Sequence, residues 1–263
     1  MTALQDLLTL LSGGLVGFSL GLIGGGGSVL AVPLLVYVVG VRDPHVAIGT
    51  SALAVAASAL FGLVTHWRWG AVKANCAIAF ALFGVTGAAI GSTVGKLVDG
   101  QQLLALFGVA MIAIGFSIAR KPAEVGDPLV HLDRQSAARL LPRIAPTAFV
   151  VGFMAGFFGI GGGFLIVPGL VLSTGMPLLN AVGSSLLSVT TFGLTTAGNY
   201  ALSGLVDWHI AAFLLAGGFA GGFSGVRVSR RLAARRPALS YAFAAIVVIV
   251  GAYVVWRGIE TLI

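Results

Sequence analysis

Residues 17–33 read GFSLGLIGGGGSVLAVP, and 135 positions further on residues 152–168 read GFMAGFFGIGGGFLIVP. Gly17, Gly21, Gly24, Gly26, Gly27 and Pro33 of the first stretch recur as Gly152, Gly156, Gly159, Gly161, Gly162 and Pro168 of the second. An internal repeat whose glycines interrupt a long apolar run at equivalent places of two halves points to the binding site of a secondary transporter. How those two runs sit in their surroundings decides the fold.

Composition sets the surroundings. With 58% hydrophobic residues, 9% charged residues and a mean hydropathy of +1.05, a chain of 263 residues has too little polar surface for a soluble domain. It is a polytopic membrane protein. Apolar runs fall at 7–40, 46–65, 74–95, 101–119, 144–173, 179–202, 209–226 and 237–256, most of them near the ~20 residues that a bilayer span needs. Met1 to Asp6 carries no basic residue ahead of the first run and reads as mature sequence rather than a cleaved signal. The formal charge of +7 sits almost wholly between apolar runs, where it orients the chain in the membrane, so no nucleic-acid partner is implied.

The run from Leu7 to Gly40 has 34 residues, roughly 51 Å as one straight helix, against a hydrocarbon core of about 30 Å. It is either one broken, tilted crossing or two half-helices that enter and leave on one side, with Gly24 to Gly27 at the tip. Charge decides between them. If each long run crosses once, eight basic residues face seven; if each returns to its own side, twelve become a majority over three, namely Arg42, Lys96 and Arg257. The positive-inside rule selects the second arrangement. The expected fold is all-α: two inverted repeats, each a glycine-tipped re-entrant hairpin plus three spanning helices. Residues 1–119 form the first repeat, 120–143 a cytoplasmic linker and 144–263 the second, with both termini outside the cytoplasm. Within the linker, the stretch Arg134 to Arg143 reads either as a short helix on the membrane surface or as a solvated connector.

The repeat continues beyond the tips. Ala47-Ile48-Gly49-Thr50-Ser51 parallels Ala181-Val182-Gly183-Ser184-Ser185, and Gly70 parallels Gly204. Gly87, Gly91 and Gly95 are matched to Gly217, Gly221 and Gly225, small residues four apart that let membrane helices pack closely.

The candidate binding residues are Gly24, Gly25, Gly26, Gly27 and Ser28 at one tip, Gly159, Gly161, Gly162 and Gly163 at the other, and the pairs Thr50-Ser51 and Ser184-Ser185. Glycine here permits a tight turn or a close helix approach. Alternatively, unwound backbone exposes N–H groups, and half-helices starting near Ser28 and Gly163 point their positive ends into a common cavity, which suits an anion. A nucleotide loop is excluded because no Lys-Ser/Thr follows. Ser51, Ser58 and Thr65 share one side of their helix, as do Ser185, Ser188, Thr195 and Asn199 of theirs; such hydroxyls either contact substrate or glue helices together.

Every carboxylate falls at a run end or in a loop, so none is placed to carry protons through the core. The lone Cys76 reads as a packing residue, and His45, His66, His131 and His209 are scattered, so neither a metal site nor a cofactor is implied and no catalytic cluster is present.

The doubled Gly-rich, Pro-containing motif, each copy followed by an Ala-x-Gly-Ser/Thr-Ser helix start, resembles the TauE/SafE family of sulfite-exporter-like bacterial permeases, over essentially the whole chain. The resemblance implies a multi-pass protein of the bacterial cytoplasmic (inner) membrane that moves a small sulfur oxyanion, sulfite or an organosulfonate. Export is the expected direction. Uptake, a channel for another small anion, and a membrane enzyme or assembly factor are the alternatives, and the oligomeric state is left open.

Overall fold

The computed structural model describes residues 3–120, 127, 130, 132, 134–159, 163–231 and 236–262. Among them the chain is helical, in elements α1 (Ala3–Ile23), α2 (Ala31–Pro33), α3 (Pro44–Arg68), α4 (Ala74–Gly95), α5 (Gly100–Arg120), α6 (Arg134–Phe158), α7 (Gly163–Thr174), α8 (Leu178–Leu202), α9 (Trp208–Arg231) and α10 (Arg236–Leu262). A 3-10 segment, Gly24–Leu30, precedes α2, and a π-helix, Leu34–Val39, follows it. Among the described residues six helices are long and apolar enough to cross a membrane: α1, α3, α4, α6, α8 and α9.

The peripheral acids set the helix starts. Asp43 accepts from His45 N at 2.8 Å, Asp99 from Gln101 N at 3.0 Å, and Asp207 from His209 N and Ile210 N, both at 3.0 Å. Each carboxylate satisfies N–H groups that a helix start leaves unpaired. The segment Arg134 to Arg143 is neither a separate surface helix nor a connector, because it forms the first turns of α6.

Both long apolar runs turn back. Leu35 and Val39, at the end of the first run, share a cluster with Leu8 at its beginning. At the far end of the bundle, Leu140 and Ile144 of α6 join Met176 and Ala181, which follow α7. The arms are unequal, which differs from the expectation of paired half-helices: α1 and α6 have 21 and 25 residues, whereas α7 has 12. A first arm of that length carries its glycine tip most of the way across the bundle before the chain reverses.

Packing exchanges the two repeats. Helix α1 lies on α9 as α6 lies on α4, while α3 pairs with α8, α5 with α10, and the segment Gly24–Leu30 with α7. The α1/α9 and α4/α6 seams are backbone on backbone. A methyl group at Gly17 would strike the carbonyl of Gly218, and one at Gly152 that of Gly84; Gly21 meets Gly222, and Gly156 meets Ala88, in the same way. From the other side, Gly221 stands on Gly14 and Gly87 on Phe149, Gly225 on Phe18 and Gly91 on Phe153. The true partners are therefore Gly87 with Gly221 and Gly91 with Gly225, one helical turn away from the sequence pairing. A ladder of glycines four apart looks the same after a slip of four, and only the facing carbonyls fix its register.

Candidate functional site

At the first tip the glycines wind into the 3-10 segment Gly24–Leu30 rather than an open loop. Gly27 is buried against α1, and a methyl group there would meet Leu20 N and the Ser19 carbonyl carbon, so close approach is what demands glycine. Ser28 and Val29 are fully buried. At the second tip Gly159 adopts φ +66° and leaves no room for a side chain beside Ile48 of α3; Gly163, buried, begins α7. Gly161 and Gly162 lie outside the described residues.

The tips reach towards opposite ends of the bundle. Gly159 sits by Ile48, near the start of α3, and Phe157 beside it packs on Gly95, the last residue of α4. The first tip follows Phe18 and Gly21, which pack on Gly225 and Gly222 in the later half of α9. Between those ends the two returning segments cross. Gly24–Leu30 packs against α7, and α8 borders both. Leu30 and the repeat-related Leu165 touch each of the two main apolar clusters, which makes them the residues through which the returning arms meet.

The hydroxyl pairs are separated in the same sense. Thr50 is fully buried, and its Oγ1 accepts the backbone N–H of Asp207 at 2.9 Å. Ser184, also fully buried, accepts the N–H of Lys73 at 2.9 Å. Ser51 Oγ donates to the Ile48 carbonyl at 3.0 Å, and Ser185 Oγ to that of Val182 at 2.8 Å. Because Gly159 touches Ile48, the pair Thr50-Ser51 neighbours the second tip, while the segment holding the first tip packs on α8, which carries Ser184 and Ser185. Each tip lies beside the other repeat's helix.

Asn199 and Lys96 form a cluster that sequence reasoning left apart. Lys96 Nζ donates to the Asn199 carbonyl at 3.1 Å, to Asn199 Oδ1 at 2.9 Å and to Ser203 Oγ at 2.8 Å. The Asn199 amide donates in turn to Ser92 Oγ at 2.7 Å and Thr93 Oγ1 at 2.9 Å. Among the described residues no group of three or more His, Cys, Asp and Glu side chains converges.

A helical membrane bundle with paired, interrupted apolar hairpins meeting in its core has the build of a transporter. The chain belongs to the sulfite exporter TauE/SafE family, whose profile matches residues 9–254. It is 49% identical over 263 residues, the full length of both chains, to a "Probable membrane transporter protein" of Xylella fastidiosa (strain 9a5c). It is 28% identical to the "Probable membrane transporter protein YunE" of Bacillus subtilis (strain 168), over 94% of this chain and 96% of that one. No solved structure gives a significant match. The family is one of membrane transporters and not of enzymes.

Proposed function

We propose that this protein carries a small sulfur oxyanion, sulfite or an organosulfonate, out of the cytoplasm across the bacterial inner membrane. The observation that supports it is the crossing of Gly24–Leu30 with α7 inside the bundle. Irregular backbone at that depth is tolerated where protein or a water-filled cavity covers it, and helix starts offer N–H groups and a positive dipole to an anion. Two half-sites follow. One comprises Gly24, Gly25, Gly26, Gly27 and Ser28 with Ser184 and Ser185; the other comprises Gly159, Gly161, Gly162 and Gly163 with Thr50 and Ser51. An anion handed from one half-site to the other crosses the bundle.

The two repeats are inverted across the bilayer in this reading, with both termini periplasmic and residues 120–143 cytoplasmic, as the distribution of basic residues favours. A cytoplasm at negative potential drives export, worth about 2.3 kcal/mol per charge per 100 mV. Sulfite efflux from proteoliposomes, with sulfoacetate in parallel, is the test. Saturable efflux that is lost in a Gly26→Leu, Gly162→Leu double variant of normal insertion supports the reading. Wild-type efflux in that variant overturns the placement of the site, and no efflux of either anion overturns the substrate class.

A further inference from the structure

Three hydroxyls on α8 are buried without a hydrogen-bond partner: Ser188 Oγ, Thr196 Oγ1 and Tyr200 OH, all on residues with 0% exposure. Their helix offers the usual alternative. Thr190 Oγ1 donates to the Leu186 carbonyl at 2.8 Å, and Thr195 Oγ1 to that of Thr191 at 2.8 Å, the back-bond by which such hydroxyls are satisfied in apolar surroundings. Ser188, Thr196 and Tyr200 forgo a bond of any kind, and an unsatisfied buried hydroxyl is destabilising. They lie within about 120° of one another around the helix and span roughly 18 Å of its length. α8 borders both the Gly24–Leu30 segment and α7.

The track ends beneath a cation. Lys96 Nζ stands 5.8 Å from the centre of the Tyr200 ring, and the His45 ring lies 6.2 Å from it. All three hydrogen-bond acceptors of Lys96 are neutral, and among the described residues no carboxylate lies within ion-pair distance of it. Lys96, His45 and Arg42 line a cavity of about 760 Å³. Asp43 and Asp99 line it too, and each has an oxygen committed to backbone N–H groups at the start of α3 or α5. Subtracting the repeat offset of 134 puts Ala54, Gly62 and His66 at the matching positions of α3, so the hydroxyl track belongs to one repeat alone.

We propose that Ser188, Thr196 and Tyr200 donate in turn to a small oxyanion, replacing its water as it moves outward along α8, and that Lys96 receives it in this cavity on the periplasmic side. The ligand class follows from the donors: an anion with at least two acceptor oxygens. The inference rests on the proposed oxyanion transport.

Removing an orphaned hydroxyl breaks no bond within the protein, so the variants Tyr200→Phe, Thr196→Val and Ser188→Ala separate transport from folding. Each is expected to keep or raise the melting temperature in detergent while lowering the sulfite transport efficiency about tenfold, the factor one hydrogen bond to a charged group contributes. Lys96→Met is expected to slow sulfite efflux and to abolish its dependence on external ionic strength, and Lys96→Arg to restore both. Hydroxyl variants that transport like wild type overturn this track alone. A wild-type protein that moves neither sulfite, sulfoacetate, nitrate nor chloride overturns the anion reading, and the track with it.

Discussion

Asp207 donates its backbone N–H to Thr50 Oγ1 at 2.9 Å, across 157 positions of sequence. Its counterpart, Lys73 N to Ser184 Oγ at 2.9 Å, repeats the bond with the two halves exchanged. Each hydroxyl ties the opening turns of a central helix to the loop of the opposite repeat. Thr50→Val keeps the shape and removes the acceptor, leaving a partly buried N–H unpaired, and is expected to cost about 1–3 kcal/mol. Thermal unfolding in detergent reads it, and an unchanged melting temperature refutes the role.

The glycine seams are expected to discriminate sharply between positions. Gly17→Ala places a methyl group on the Gly218 carbonyl, where only backbone could yield, at a cost of about 1–3 kcal/mol or more. Gly198→Ala, also in a helix but with nothing within 4 Å, is expected to be neutral or to stabilise by about 0.5–1 kcal/mol. Unfolding measured on both variants side by side checks the contrast.

Asn199→Asp puts a carboxylate where Lys96 Nζ already finds Oδ1 at 2.9 Å. The new pair is expected to neutralise the cation and slow anion release through the cavity without lowering the melting temperature. Transport by this variant at the wild-type rate removes Lys96 from the mechanism.

A reporter active only in the cytoplasm, fused after Lys121, is expected to be active, and the same reporter inserted after Arg42 inactive. The reverse pattern turns the protein over in the membrane, and equal activity at both sites removes the proposed topology.

Much of this architecture could be read from residue order. The repeat, the helical class and the return of Leu7 to Gly40 to its own side all follow from glycine spacing and basic residues, because those depend on the solvent that each segment meets. Arm length does not: an apolar run says that it turns, while the place of the turn depends on what the far end packs against, here Gly222 and Val226 of α9 for Gly21. The hydroxyls show the same limit. Ser188, Thr195 and Asn199 share a stripe in the sequence, yet Thr195 back-bonds to Thr191 and Asn199 holds Lys96, while Ser188 has no partner. Nothing in the residue order marks Thr196 and Tyr200 beyond a tyrosine set among small residues. Helical spacing identifies a face and leaves its partners open.

The seams of α1 on α9 and α4 on α6 have a consequence for the assembly of the chain. Each half lays its longest contacts on the other half and keeps few for itself, the arrangement of a domain-swapped pair. A polypeptide comprising one repeat alone would bare a backbone groove whose natural complement is a second copy of itself. Synthesis of the first half therefore leaves that groove unfilled until the second half follows it.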